Sequence, residues 1–173
     1  MTADSKTEIR KEREGEFAAT RDIHLAAFET PAEADLVDAL RRRAQPIVSL
    51  VAARGGTLVG HILFSPVSLT GHPEIRLMGL APMAVAPDYQ RQGIGSQLVR
   101  AGLEGCRRIE AAAIVVLGHA DYYPRFGFRK ASSFGIRSEY EVPDEVFMAM
   151  ELEADALANA TGTVHYHAAF GEL

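Results

Sequence analysis

Cysteine occurs once in the chain, as Cys106, which excludes an internal disulfide and a cysteine-rich zinc cage. It falls in a helical pattern beside Leu103, where an inert buried thiol is expected. Long apolar runs are missing as well. The longest uncharged one, Ala111 to Gly118, is far short of the roughly 20 residues that a membrane span requires, so no membrane partner is expected. The N-terminal stretch MTADSKTEIRKERE has no apolar signal core, and a cytoplasmic location is the expectation. Positive charge is also scarce. A net charge of −5 argues against a nucleic-acid partner and would steer only cationic ligands, weakly. Repeats, low-complexity linkers and shifts of composition are absent, so residues 1–173 read as a single domain with one sizeable core.

What is present is a mixture of the two hydrophobic periods. Glu8 to Arg13 suits a first strand, and Phe17, His24, Leu25 and Phe28 then recur at helical spacing. "TPAEADLVDALRRR" carries a helix start: Thr30 as cap, Pro31 at the first helical position and Glu33 closing a capping box, with Arg41 to Arg43 as a solvated helix end. Two β-type runs flank Gly55-Gly56, a hairpin signal. "IRLMGLAPMAVAP" reads as a fourth strand in which Pro82 cannot donate to a ladder, so a bulge or an open edge is expected there. A helical crossover from Ser96 to Cys106 makes "AAAIVVLG" a fifth strand parallel to the fourth. "DYYPRFGF" gives a short helical turn and the start of a strand, and Val146 to Leu152 and Thr163 to Tyr166 are later strands.

Between the fourth strand and its helix stands "YQRQGIGSQLV". Amides at a helix start lack intrahelical partners and carry the positive end of the helix dipole, and glycine leaves them uncovered for an anion. A dinucleotide fingerprint would need glycine where Leu98 stands, and a P-loop would need Gly-Lys followed by Ser or Thr, so neither phosphate loop is present.

The run "MAVAPDYQRQGIGSQLV" resembles the acyl-coenzyme A signature of the GNAT superfamily of N-acetyltransferases: Arg or Gln, two residues, Gly, one residue, Gly or Ala. "YYPRFGF" is similar to that superfamily's aromatic turn ending in Gly-Phe. The hairpin, "VVLG" and the tail "GTVHYHAAF" extend the resemblance over the whole chain, to the YhbS-like branch. It implies an α/β (α+β) GNAT fold: a central mixed, mostly antiparallel sheet of six to seven strands, splayed between strands 4 and 5 and flanked by helices on both faces. It also implies acetyl-coenzyme A as co-substrate, with pyrophosphate on the turn Gln90, Arg91, Gln92, Gly93, Ile94, Gly95 and Ser96, and the pantetheine arm along Met83, Ala84 and Val85. Tyr123, four residues before Gly127, matches the family's general acid, while Tyr122 reads as a packing residue. Gly118-His119-Ala120-Asp121 is a short link where many members have an asparagine and a longer helix, so no asparagine contact is carried over.

For the base, two candidates stand. His119 follows the fifth strand, and Glu29 lies at the junction of the first two helices, which borders the acceptor. His165 and His167 share a strand face but lack a third ligand, so no metal is expected. The expected activity is transfer of an acetyl group to a primary amine of a small molecule or protein, in a ternary complex, with a homodimer left open. The alternatives are an acyl-coenzyme A binding module without catalysis and an aminoacyl-type transferase, the latter disfavoured by the acidic balance.

Overall fold

The computed structural model describes residues 6–172. In chain order the elements are β1 (Glu8–Lys11), α1 (Phe17–Ala27), α2 (Ala32–Arg43), β2 (Val48–Arg54), β3 (Thr57–Leu69), β4 (Leu77–Val85), α3 (Ile94–Arg108), β5 (Ala113–Leu117), β6 (Arg129–Lys130), β7 (Ile136–Ser138), β8 (Phe147–Glu151) and β9 (Gly162–His165). The strands form a 9-stranded sheet in the order β1-β2-β3-β4-β5-β8-β6, with β9 paired to the end of β3 and to β7. Pairing is antiparallel except at β4–β5 and β7–β9. None of the described helices is long and apolar enough to cross a membrane.

Alternation along β3 explains how helices come to lie on both faces. Ile62 and Phe64 point into one core with Ile94, Leu98 and Leu103 of α3, whereas Leu63 points the other way into a core with Leu36, Val37 and Leu40 of α2. The β2–β3 hairpin closes through Gly55 and Gly56, both at positive φ, as a two-residue type I′ turn demands. On α3, Gly102 admits the Phe64 ring so closely that a Cβ would meet it at 2.1 Å.

Four expectations need correction. The strands number nine rather than six or seven, because β6 and β7 are too short to show any alternation in sequence. The Thr30–Glu33 capping box is not formed: α2 starts at Ala32 with Pro31 as its N-cap, so Glu33 is the second helical residue and cannot reach back. Arg41 is not a solvated helix end. Its side chain is 7% exposed, paired with Glu12 and Asp38 and stacked on Phe17. Finally, β9 ends at His165, so His167 lies beyond it, where its Nδ1 accepts the Ala169 amide at 3.0 Å.

Candidate functional site: a parted sheet beside an open helix end

β4 and β5 pair only from Leu77/Ala113 to Leu80/Val116. Opposite Leu63 of β3 the register of β4 then slips, with Phe64 facing Leu80 and Ile62 facing Met83, so Ala81 and Pro82 form the expected bulge. Beyond it Met83, Ala84 and Val85 stay paired to β3, and β5 has left their other edge. Within this stretch the Val85 carbonyl accepts the side-chain amide of Gln90 at 2.9 Å.

The chain then enters the glycine turn. Arg91 and Gly93 take left-handed φ values of 62 and 83°, and α3 begins at Ile94 with Gly93 as an N-cap whose hydrogen carries no capping group. The first α-helical bond runs from the Gln97 amide to Gly93 oxygen, which leaves the amides of Ile94, Gly95 and Ser96 without helical partners. A Cβ on Gly93 would meet nothing within 4 Å, so that position is glycine for its φ and for the open space.

Tyr122 roofs this end of the helix. Its hydroxyl lies 2.9 Å from Ser96 Oγ, and Arg125 is fixed on it by a 2.9 Å bond to its carbonyl and by stacking 4.5 Å from its ring centre. A cleft of about 430 Å³ runs between Val85, Gly93, Gly95, Ser96 and Tyr122. A second, of about 750 Å³, shares Gln90, Arg91, Tyr122 and Arg125 with it and continues to Met83, His119 and Tyr123. Two cations and a helix N-terminus thus line one end, and a phenol the other.

Tyr123 is 7% exposed, its ring 5.7 Å from Phe128 and tight against Gly118, where a Cβ would overlap it at 2.2 Å. Gly127, at φ +106°, turns the chain so that Phe128 can pack there. Burial, with a smaller contribution from Tyr122, pushes the Tyr123 hydroxyl up to about 12. His119 is exposed on the same cleft, and its carbonyl accepts the amides of Tyr122 and Tyr123. Glu29 is exposed after the end of α1 and lines neither cleft. Gln92 is turned aside, held by Arg54 at 2.6 Å and by the Asp88 carbonyl at 3.3 Å. Ala84 is buried across from His61, on the opposite face of the sheet from its neighbours Met83 and Val85, which border the α3 core.

The sequence reading missed Arg125 and the roofing role of Tyr122, both in the same aromatic turn. It also missed a buried polar chain under α1. Arg41 forks Glu12, Ser49 Oγ donates to Glu12 Oε1 at 2.8 Å, His61 Nε2 lies 2.8 Å from Ser49 Oγ, and His24 Nε2 lies 2.8 Å from His61 Nδ1. Both rings are 0% exposed. Burial pulls His24 down to about 4, helped by Arg41 and opposed by Asp38; burial, then His24 and Arg41, hold His61 well below the usual imidazole range.

A mixed sheet parted between β4 and β5, opening onto an uncapped helix, is the GNAT acetyltransferase architecture. The model of the acetyltransferase (GNAT) domain matches residues 8–131, and the chain belongs to that family. It is 43% identical over 129 residues to the uncharacterized N-acetyltransferase YjhQ of Escherichia coli K12, covering 72% of this chain and 71% of that protein. To the uncharacterized N-acetyltransferase YhbS of the same organism it is 38% identical over 148 residues, 85% of this chain and 88% of that one. The crystal structure of E. coli YhbS in complex with CoA matches with a TM-score of 0.92 at 33% identity over the longer structural alignment, covering 99% of this chain and 95% of that chain. A GNAT family acetyltransferase from Brucella melitensis in complex with acetyl-CoA matches with a TM-score of 0.79 and 37% identity, covering 96% of this chain and 99% of that chain.

Proposed function

We propose that the protein transfers the acetyl group of acetyl-coenzyme A to a primary amine of a small molecule or protein, by direct attack within a ternary complex. The observation that carries this reading is the adjacency of the openings: the unpaired edge at Met83–Val85 and the bare α3 N-terminus border two clefts that share Gln90, Arg91, Tyr122 and Arg125. An extended amide-bearing arm fits such an edge as an added strand, and its phosphates fit the amides of Ile94, Gly95 and Ser96. Arg91 and Arg125 supply charge to the phosphates. An arm paired to this edge would compete with the Gln90 side-chain amide for the Val85 carbonyl.

Attack of the amine forms the C–N bond, moves electrons onto the carbonyl oxygen and then expels the thiolate. A backbone amide of β4 beside the bulge is placed to donate to that oxygen. Tyr123 stands at the thiol end of the cleft as the group that hydrogen-bonds the departing sulfur. The two neighbours solved with CoA and with acetyl-CoA support the choice of donor. Thiol release from acetyl-coenzyme A over an amine panel, run beside calorimetry of acetyl-coenzyme A binding, tests the reading. Amine-dependent release is expected; tight binding with no release for any amine would turn it toward a binding module.

A further inference from the structure

Both clefts assigned to the donor lie on the α3 side of the sheet, where Met83, Val85, Tyr122 and Tyr123 border the core under α3. An acceptor that meets the thioester in the gap between β4 and β5 then enters from the other face. That face carries an opening of about 220 Å³, lined among others by Ile136, Arg137, Tyr140, Glu141, Pro143 and Phe147. Phe147 and Ile136 belong with Val115 to the core opposite α3. Phe147 also pairs in register with Leu117, the last residue of β5. Leu117 follows Val115 by two positions, so it projects from the same face, and it stands exposed. The pairing of β5 with β4 has already ended at Val116. Leu117 is therefore the sill between this pocket and the gap.

The charges of the pocket say what kind of molecule fits it. Asp144 lies 3.8 Å from Lys130, whereas Arg137 and Glu141 form no ion pair with each other or with any other of the described residues. One cation and one anion that face the same pocket unpaired are complementary to a ligand head that carries both charges. Reach sets the rest of the ligand. Phe147 is one strand from Leu117, and an arm added beside β4 would lie one strand further, ~10 Å in all at ordinary strand spacing. A nitrogen poised about 3 Å from the carbonyl carbon leaves ~7 Å to cover, close to the span of an extended chain of about four methylenes. We propose that the acceptor is the side-chain amine of a free diamino acid of lysine-like length, with its carboxylate on Arg137 and its α-ammonium on Glu141. The assignment rests on the acetyl-transfer reading above. The amine attacks as the free base: its lone pair forms the C–N bond, and the C–S bond breaks with its electrons on sulfur. The proton that nitrogen sheds goes to solvent, from which the thiolate takes one.

Two measurements keep the pocket and the transfer apart. Titration of the nitrogen-15-labelled protein with L-lysine, in the presence of CoA, should shift the amides of Arg137, Tyr140 and Glu141 without any turnover. Thiol release from acetyl-coenzyme A is compared across L-lysine, cadaverine, Nα-acetyl-lysine, benzylamine and a lysyl peptide. Lysine should exceed cadaverine, which lacks the carboxylate, and Nα-acetyl-lysine, which lacks the second ammonium, by ~10-fold or more in kcat/KM. Arg137→Ala should bring lysine and cadaverine within about 3-fold of each other, and Glu141→Gln should do the same for lysine and Nα-acetyl-lysine, with acetyl-coenzyme A affinity unchanged. Cadaverine, benzylamine or the peptide turning over as well as lysine overturns the substrate class. Turnover of any of these amines without lysine-induced shifts at the pocket overturns it as well. Lysine shifts with no thiol release from any amine overturn the transfer reading and leave the pocket as a binding site for the amino acid; neither shifts nor release overturns both.

Discussion

Burial against Gly118, Phe128 and Tyr122 sets what the Tyr123 oxygen can do, because it raises the phenol to about 12. Passing its proton to a thiolate near 8.5 would climb on the order of 5 kcal/mol. On the proposed reading, Tyr123 would therefore serve as a hydrogen-bond donor to the leaving sulfur, and that sulfur would take its proton from water once outside. Tyr123→Phe keeps the ring in place and should lower kcat by ~10- to 100-fold, the worth of a hydrogen bond to a charged group, with acetyl-coenzyme A affinity nearly unchanged. Steady-state kinetics beside calorimetry separates the two, and a wild-type alkaline limb centred near 10 that vanishes in the variant would contradict the raised value. At Gly95 a Cβ meets only ordinary contacts, Tyr122 Oη at 3.5 Å and Met83 Cε at 3.6 Å. Gly95→Ala should fold and bind, whereas Gly95→Asp sets a carboxylate over the amides and should weaken acetyl-coenzyme A by at least ~10-fold with little change in Tm. Residues of this kind were legible in the sequence because the turn is local: Gly93, Gly95 and Ser96 act within four positions of one another. Glu12, His24, Arg41, Ser49 and His61 meet from five different segments, and no spacing rule joins them. Their one trace is a polar side chain standing in an apolar rhythm, as His61 does among Val59, Ile62 and Leu63.

At the scale of elements, α3 shows how a small residue fixes a helix against a sheet. The Phe64 ring occupies the space of the missing Gly102 side chain. Gly102→Ala gains helix propensity but forces the ring away, and should destabilise by about 1–3 kcal/mol in urea unfolding, while Gly15→Ala, with nothing within 4 Å, should change little. If Gly102→Ala were as stable as wild type, the close approach would not be holding α3 in place. Elements with a strong local signal were read correctly: the Gly55-Gly56 hairpin, the amphipathic α3, the parallel β5 and the Pro82 bulge. Where the signal was shifted by one residue the reading failed. Thr30 and Glu33 have the spacing of a capping box, but Pro31 accepts the first helical bond, from Asp35, and moves the helix start past Thr30. After Phe128, β8 and β9 fall within a residue of the stretches that read as strands, whereas β6 and β7 are set by tertiary pairing, on β8 and on β9, which no periodicity over two or three residues can announce.

The whole molecule carries the buried histidines as a dependence of stability on pH. Folding lowers their pKa, so between the unfolded value near 6.5 and the folded value of about 4 for His24 the unfolded chain binds more protons. Stability is then complete above about pH 6.5, falls as the pH drops through that window and levels off below it, with His24 alone accounting for ~3 kcal/mol. Urea unfolding at pH 7.5, 6, 5 and 4.5 measures the slope, and His24→Gln should flatten it; equal stability of the wild type at pH 7.5 and 5 would sink the idea. A second property of the whole follows from where the sheet is joined. β4 and β5 are stitched at Leu77–Leu80, and β9 ties β3 to β7 near that same end, at Ser68 and Leu69. The molecule is thus bound like a book at its spine, with the pages free at Met83–Val85. Amides of the spine should exchange slowly with deuterium at all times, and those of the free edge should slow only when acetyl-coenzyme A is added. The donor would then act as a removable page, completing between the two leaves a sheet that the polypeptide leaves unfinished.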